Sequence, residues 1–389
     1  MWEPAATVPA GAAAFLRSLG QAADDALIAW ASQTLADPPA VWADWLRGQG
    51  LAAYTCYRLR RAAALNRLPA ELAQALQAAY YRAAGDAELH TRELVAVLDA
   101  LAGAGVMPIL FKGAALAYAA YPDPACRPMG DLDLWLGADA MPRAQAVLRD
   151  AGYLEHVQEA RPPALLAGRE GELQWVGTRP EQGLIELHYG VFPGEWVYRA
   201  AAVDSAAVNS RARPVTIEDR PARTLAPEDA VIQLAVHFAV NHQMAYPGVR
   251  GLLDVRLLTA SSRVEWETVA RRALDWRVRT AVWQVLSLAD ELLGLPQAGG
   301  ALAALQPSSL RRRLLAHYAS IDSVLRGRDL TGGPARFIYQ LLLADRWRDA
   351  ARLVFRALWP ERAWLAARYG RSDWRTRRAH LLAAARGRV

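Results

Sequence analysis

The sequence contains little cysteine and no long apolar run. Its 389 residues include two cysteines, Cys56 and Cys126, which form neither a CxxC pair nor a disulfide framework. No stretch reaches the roughly 18 consecutive apolar residues of a transmembrane helix, and the amino terminus lacks the basic and then apolar pattern of a signal peptide. These absences argue against a disulfide-stabilised secreted domain and against a membrane span, so we expect a cytoplasmic protein.

Lysine is almost absent as well. Lys112 is the single lysine among 45 basic side chains, and all the others are arginine. The formal charge of +6 permits contact with phosphates, nucleic acid or an acidic surface, but it is modest and selects no partner. A general need for positive charge therefore does not explain why this one position is a lysine.

Helical patterns dominate the sequence and are interrupted once. Residues 1–104 and 216–389 are predicted to be an N-terminal helical region and a C-terminal helical domain, whereas residues 105–215 alternate short apolar runs with turns. The predicted fold class is α+β and mostly helical, with a small α/β domain of mixed sheet between the two helical regions. The hydrophobic content of 53% is ample for a core.

The middle part is predicted to run strand, helix, strand, helix, strand, strand. We expect the second helix to be capped by Asp139 and to end at Gly152, and a later helix to begin at Pro227. The predicted strands are 106–111, 131–136, 171–176 and 183–189, and the first predicted helix is 114–120.

Two aspartates on one strand indicate a cation site. In an extended strand Asp131 and Asp133 project from the same face, while the leucines between and after them point to the other. Two adjacent carboxylates repel each other, and a divalent cation such as Mg²⁺ relieves that repulsion while also holding substrate phosphates. The alternative is that the pair forms only the solvated face of an edge strand.

The neighbouring segments favour the cation site. Lys112 and Gly113 end a strand at the start of a helix, so that backbone N–H groups, a helix dipole and an ammonium come together in a way that suits a triphosphate. Glu186 supplies a third carboxylate in the middle of a later strand, with apolar neighbours on both sides.

These motifs resemble the polymerase-β-type nucleotidyltransferase superfamily, and most closely its bacterial branch of uncharacterised nucleotidyltransferases. The resemblance covers most of the chain and is strongest in residues 106–189. It rests on the phrases "LFKGAAL", "GDLDLWL" and "IELH" in this order, with an arginine between the first two, and on "LAPEDAVIQLAVHF" and "GVRGLLDVRLL" further on.

The resemblance implies a site and a reaction. Asp131, Asp133 and Glu186 would be the catalytic carboxylates and would bind the metal, two Mg²⁺ ions being expected, together with the triphosphate. The substrate would be an NTP such as ATP. The reaction would move NMP to an acceptor and release pyrophosphate.

One departure from the family pattern concerns the phosphate-binding turn. The wider superfamily usually has a Gly-Ser pair where this chain has Lys112 and Gly113. We interpret the lysine as replacing the lost hydroxyl contact, because a compact ammonium on a flexible stem suits a tight turn beside phosphates better than a planar guanidinium. The alternative is that a single lysine has persisted by chance.

Several roles stay open at this point. Glu172 on the preceding strand is a rival to Glu186 as the third carboxylate. Arg127 would either bind the nucleotide phosphates or only neutralise the aspartates. His188 shares a face with Glu186 and would contact the acceptor, transfer a proton or serve as a structural hydrogen-bonding group.

Other charged residues favour structural interpretations. His237 and His242 lie five apart on a predicted helix, which does not make them neighbours, so a zinc pair is rejected. Arg250 and Asp254 are predicted to pair on a helix surface, although the resemblance would let them line the active cleft. The segment after Arg362, rich in arginine and tryptophan, would either pack as an amphipathic helix or bind RNA or another anionic surface.

The leading hypothesis is therefore a Mg²⁺-dependent nucleotidyltransferase with an unidentified acceptor: a small molecule, a peptide or protein, or an RNA end. The alternative is a nucleotide-sensing or partner-binding helical protein without turnover. Neither the base preference nor the oligomeric state follows from the sequence.

Overall fold

A computed structural model describes residues 7–157, 171–192, 194–245, 248–327 and 333–385. Within these ranges most residues are helical and one mixed sheet of seven strands is present. The predicted α+β, mostly helical fold class is confirmed. None of the helices in the described ranges combines the length and the apolar character that a membrane crossing requires.

The helices are α1 (Ala12–Gly20), α2 (Asp25–Ala31), α3 (Pro39–Gly48), α4 (Ala52–Arg61), α5 (Ala70–Gly103), α6 (Gly113–Ala119), α7 (Met141–Asp150), α8 (Glu195–Ala200), α9 (Ser205–Arg211), α10 (Pro227–Val236), α11 (Gly248–Ser261), α12 (Trp266–Asp275), α13 (Arg279–Leu293), α14 (Gly299–Leu305), α15 (Ser309–Tyr318), α16 (Ile321–Arg326), α17 (Gly333–Leu343), α18 (Trp347–Leu358), α19 (Arg362–Tyr369) and α20 (Trp374–Ala385). A π-helical turn, His237–Asn241, continues α10, and short 3₁₀ turns lie at Leu65–Arg67 and Pro124–Cys126.

The strands are β1 (Ile109–Leu110), β2 (Asp131–Trp135), β3 (Tyr153–His156), β4 (Glu172–Gly177), β5 (Leu184–His188), β6 (Arg213–Ile217) and β7 (Arg220–Thr224). Their order across the sheet is β3-β4-β5-β2-β1-β7-β6. The pairs β2/β5 and β1/β7 are parallel, and the other neighbours are antiparallel. The two strands that carry the aspartates and Glu186 are therefore direct neighbours at the centre of the sheet.

The sheet separates two hydrophobic cores. On one face, Leu132, Leu134 and Leu187 pack with the second half of α5 and with α7. On the other face, Phe111 and Trp135 join a larger core built by the helices. Because side chains alternate along each strand, Asp131 and Asp133 point to this second face, towards the helical part of the molecule.

The two helical regions share the larger core. Residues of α1, α3 and α4 pack in the same cluster as residues of α10 to α18. The indole N–H of Trp45 in α3 donates to the carbonyl of Leu325 in α16 at 2.8 Å. The boundaries predicted after residues 104 and 215 remain a prediction, but the helices on either side of them form one packed body.

Some elements differ from those predicted. The strands β3, β6 and β7 had not been predicted, and the hairpin of β6 and β7 carries the sheet past residue 215 to Thr224. The prediction that Asp139 caps α7 is wrong, because that helix begins at Met141 with Ala140 at the capping position. The first predicted strand is also shorter than expected, since only Ile109 and Leu110 pair with neighbours.

Candidate active site

The polar residues of the site lie on one face of β2 and β5. In the parallel register Asp133 is opposite Glu186, and Trp135 is opposite His188. Because alternate residues share a face, Asp131 joins them, while Leu132, Leu134 and Leu187 point into the other core. The alternating sequence of each strand thus directs carboxylates and an imidazole to the same side of the sheet.

Three of these side chains form a compact buried group. Asp133, Glu186 and His188 each offer a ligand atom, and the three atoms lie within 4.8 Å of one another. His188 Nε2 is 2.9 Å from Asp133 Oδ1 and 3.5 Å from Glu186 Oε2. The ring of Phe111 packs against the imidazole at right angles, with centroids 4.7 Å apart. The group is held in place by the strands and by its own hydrogen bonds.

The single lysine supplies the countercharge. The ammonium of Lys112 donates to Asp133 Oδ1 at 2.7 Å and lies 3.9 Å from Glu186 Oε2. Burial alone would lower the pKa of Lys112, but the charges of Asp133 and Glu186 outweigh it and raise the pKa above its ordinary value. Its backbone has φ of 51°, in a region that side chains rarely adopt, just before α6 begins. The tight turn thus aims the ammonium at the carboxylates.

Asp131 is compensated less completely, since Lys112 and Arg127 lower its pKa by less than its surroundings raise it. Burial, together with repulsion from Asp133 and Glu186, raises the pKa of Asp131 from 3.8 to about 7. Burial also opposes the charge of Asp133, yet Lys112 and His188 keep the pKa of Asp133 well below its ordinary value. The two aspartates of one strand therefore lie in opposite electrostatic environments. A divalent cation would remove this imbalance, so the donor set fits a hard metal ion with oxygen ligands.

Glu186 and its rival Glu172 lie in different places. Glu186 belongs to the compact group, and Gln174 on β4 donates to its Oε1 at 2.8 Å. Glu172 pairs in register with His188, and its Oε2 is 3.7 Å from Nδ1 of that ring. Geometry thus brings Glu186 beside Asp133 and puts Glu172 on the far side of the imidazole.

Arg127 is fixed by a buried ion pair. Its guanidinium makes two hydrogen bonds to the carboxylate of Asp254 on α11, at 2.7 and 2.9 Å, and Tyr121 donates to the same carboxylate at 2.7 Å. Burial would lower the pKa of Arg127, but Asp254 raises it well above its ordinary value.

The prediction that Arg250 and Asp254 pair on a helix surface is wrong about the location, because Asp254 is buried and its carboxylate is bound to Arg127. Arg250 donates to the carbonyl of Pro128 at 2.9 Å and lines the cavity described below.

Gly113 is closely packed in this turn. A Cβ added there would lie 3.2 Å from Met129 Cβ and 3.5 Å from Arg127 Nη1. A side chain at this position would therefore press on Met129, in the loop that leads into β2, and would contact the arginine.

The prediction that His237 and His242 are not neighbours is wrong, because the backbone between them is not α-helical. The turn His237–Asn241 is π-helical, and this geometry brings residues five apart into contact. Nε2 of His242 lies 2.9 Å from Nε2 of His237, and both rings line the cavity. Burial and the nearby charge of Lys112 lower the pKa of His237 well below its ordinary value. A 3.6-residue period had placed the two rings on different faces.

A cavity of about 1010 Å³ opens over these residues. Asp131, Asp133, Glu186 and Lys112 line its floor. Its far wall comes from the C-terminal helices, and those residues had not been assigned to the site from the sequence: Arg336, Phe337, Leu353, Leu358 and Trp364. The volume lies at the upper end of the range for ligand pockets, about 300 to 1,000 Å³, and is sufficient for more than one small ligand.

Comparison with known proteins identifies a family. A protein-family model described as "Uncharacterised nucleotidyltransferase" matches residues 37–294, which is more than half of the chain and includes every carboxylate discussed above. No significant match was found among curated proteins or among solved structures. The carboxylate-bearing face of β2 and β5, the basic turn before α6 and the matched span agree: the chain belongs to the uncharacterised nucleotidyltransferase family and is a transferase of phosphorus-containing groups.

Proposed function

We propose that the protein transfers a nucleoside monophosphate from an NTP, with Mg²⁺, to an acceptor bound in the same cavity. The acceptor would be a small molecule, a peptide or protein, or an RNA end. The observation that carries the proposal is the set of carboxylates that faces the cavity, in which burial and repulsion from Asp133 and Glu186 raise the pKa of Asp131 to about 7. A structural cluster would gain nothing from such repulsion.

Asp131, Asp133 and Glu186 would hold the metal, two Mg²⁺ ions being proposed. When bound, the ions would neutralise the triphosphate and the departing pyrophosphate and would make the acceptor oxygen more acidic. Glu186 is preferred to Glu172 because it lies opposite Asp133 in the register.

Lys112 would have two positions. In the ligand-free protein its ammonium neutralises Asp133 and Glu186 from within the group. With Mg²⁺ present that countercharge is supplied by the metal, and the flexible stem would let the ammonium turn to the phosphates of the nucleotide. Gly113 would let Met129 and Arg127 pack against the turn, and its backbone N–H at the start of α6 would face the phosphates.

Arg127 and His188 would complete the site. Arg127 is held by Asp254 and by the carbonyl of Pro128, and would offer the remaining N–H groups of Nη1 and Nη2 to the nucleotide. His188 Nε2 lies between Asp133 and Glu186 and can hold or release one proton there. We assign it to orienting these two carboxylates, because its ring is fully buried beneath them.

Calorimetric titration tests the proposal. Non-hydrolysable analogues of the four NTPs would be titrated into the purified protein in Mg²⁺ and in EDTA, with Asp133→Asn as the site variant and Glu172→Gln as its matched control. We expect at least one analogue to bind in Mg²⁺ only. Binding should be lost in Asp133→Asn and kept in Glu172→Gln.

Two outcomes would count against it. If no analogue binds under any condition, the cavity is not a nucleotide site and a partner-binding protein is the better description. If an analogue binds equally in EDTA, or equally to Asp133→Asn, the protein senses nucleotides without using these carboxylates.

A further inference from the structure

The helix α18 carries an apolar stripe that faces outward. Trp347, Val354, Phe355 and Leu358, which we call the α18 stripe, have exposed fractions of 74%, 36%, 54% and 51%. Trp359, just after the helix, is 49% exposed. Single exposed apolar residues are ordinary, but a contiguous set of this kind marks a surface that contacts something apolar.

The positions of these residues place them on one side of the helix. Spacings of seven, eight and eleven residues from Trp347 correspond to two or three helical turns. The opposite side is turned inward, where Asp349 and Leu353 are buried. Trp347 and Phe355 thus face the outside of the part of the molecule that the structure describes, while Val354 and Leu358 are exposed beside the cavity that they also line.

The positive charge of the protein is concentrated in its C-terminal segment. Residues 333–389 contain thirteen arginines and four acidic residues, a net charge of +9, whereas the whole chain carries +6. The rest of the molecule is therefore slightly acidic, and the C-terminal segment alone is strongly basic. A basic segment beside an apolar stripe complements a surface that is both apolar and anionic.

The arginines lie over the exposed aromatic rings. The guanidinium of Arg348 is 5.5 Å from the ring centroid of Trp347, and that of Arg356 is 5.3 Å from that of Phe355. Trp374 on α20, which is 67% exposed, is likewise covered by an arginine at 5.8 Å. In such a pair the charged guanidinium and the apolar ring can lie at the same depth in an interface.

These features favour lipid over nucleic acid. Base stacking uses open aromatic faces, whereas here one face of each ring carries a guanidinium, and Val354 and Leu358 have no ring. Aliphatic side chains, tryptophan and arginine together are the composition of helices that lie in the plane of a membrane interface. We propose that the α18 stripe and its surrounding arginines dock on an anionic membrane surface, with α18 lying in the interface and not crossing it.

The docking surface adjoins the cavity. Val354 and Leu358 belong both to the α18 stripe and to the cavity lining. Binding through the stripe would bring the cavity next to lipid head groups. The proposal does not depend on nucleotide chemistry, because it involves neither the carboxylates nor the Lys112 turn.

Vesicle co-sedimentation of the full chain tests the proposal. Vesicles of phosphatidylcholine alone would be compared with vesicles that also contain phosphatidylglycerol, at low and high salt. The stripe variant is Trp347→Ser with Phe355→Ser, and the charge variant is Arg348→Gln with Arg375→Gln. Tyr81→Ser with Leu310→Ser is the matched control, because those residues are 62% and 67% exposed on other helices.

The expected result is binding to the anionic vesicles that weakens with salt and falls at least about tenfold in both test variants but not in the control. Absence of vesicle binding, or equal binding to both lipid mixtures, would overturn the proposal. So would binding of a single-stranded RNA oligonucleotide in place of vesicles, or a dimer that is lost in the stripe variant. Circular dichroism of each variant excludes unfolding as the cause.

Discussion

At the scale of single residues, Lys112 links the charge balance of the site to its function. The ammonium lies where a cation would be expected between Asp133 and Glu186. An arginine would bring a planar guanidinium into a turn that already holds Gly113 against Met129. The lysine therefore has a local steric and electrostatic reason in a chain that otherwise uses arginine.

Replacing Lys112 by methionine should weaken the metal-free protein more than the metal-bound one. In EDTA the variant leaves buried carboxylates without a countercharge, and we expect the free energy of unfolding to fall by roughly 3 kcal/mol. In Mg²⁺ the metal should take over much of that role, so the loss should be smaller. Urea unfolding in both buffers measures the difference, with Arg92→Met, which removes an exposed basic side chain on α5, as the control. Equal losses in EDTA and Mg²⁺ would show that no metal replaces the ammonium.

The raised pKa of Asp131 predicts a particular pH dependence. Its carboxyl loses a proton near the ordinary value of 3.8 in the unfolded chain but near 7 in the folded one. Between these values the folded state binds more protons, so its stability should fall as the pH rises. Asp131→Asn lacks this dependence. In EDTA near pH 8 it should be more stable than the wild type by about 1 to 2 kcal/mol, allowing for partial exposure, and near pH 4 the two should be alike.

Chemical unfolding at the two pH values checks this expectation. Asp139→Asn, an exposed acid on the loop after β2, is the control and should differ little from the wild type at either pH. A destabilised Asp131→Asn variant at high pH would mean that the carboxylate is compensated in the metal-free protein.

At the scale of elements, a buried ion pair joins the α/β part to the helices. Arg127 follows the 3₁₀ turn before β2, and Asp254 lies on α11, so their two hydrogen bonds tie the loop of the site to the helical core. The pair is buried on both sides. Its loss should therefore displace the loop that leads into the aspartates.

Asp254→Ala should lower the free energy of unfolding by about 3 to 5 kcal/mol, because it leaves a buried guanidinium without its partner. Glu88→Ala breaks an exposed pair with Arg92 on α5 and should cost less than about 1 kcal/mol. Urea unfolding of both variants gives the comparison. Similar losses in the two would indicate that the Arg127 pair is open to water.

The parts of the site that could be predicted from sequence are those determined by residues close together in the chain. Alternation in β2 and β5 directed Asp131, Asp133 and Glu186 to one face, and the Lys112 turn followed from a short apolar run and a helix start. The hairpin of β6 and β7 was missed because each strand contains a proline and neither has a continuous apolar run. The contact of His237 with His242 was missed because a π-helical turn leaves no mark in a 3.6-residue pattern.

Long-range partners could not be predicted for a different reason. Arg127 and Asp254 are 127 residues apart, and each taken alone has closer candidate partners in sequence. The same holds for the cavity wall from α17 to α20, whose residues lie outside the span that matches the family. Chain topology, not local pattern, brings these groups to the site.

At the scale of the whole molecule, the first helices and the later ones pack closely against each other. Gly20 ends α1 against the end of α13, where an added Cβ would lie 2.1 Å from the carbonyl oxygen of Leu293. Gly20→Ala should thus force the two helices apart and cost about 2 kcal/mol or more. Gly85, in the middle of α5, has no atom within 4 Å of an added Cβ.

Gly85→Ala is the matched control and should stabilise the protein by about 0.5 to 1 kcal/mol, because alanine favours the helix. Thermal and urea unfolding of the two variants should therefore give shifts of opposite sign. A neutral Gly20→Ala variant would contradict the close packing of α1 on α13.

The most direct measurement is a crystal structure with Mn²⁺ in place of Mg²⁺ and a non-hydrolysable NTP analogue, with anomalous scattering to locate the metal. We expect metal peaks about 2.1 Å from carboxylate oxygens of Asp131, Asp133 and Glu186, with the triphosphate on the same ions and the Lys112 ammonium moved away from Asp133. A structure in which Lys112 still binds Asp133, and in which metal and nucleotide are absent from these carboxylates, would contradict the proposed function.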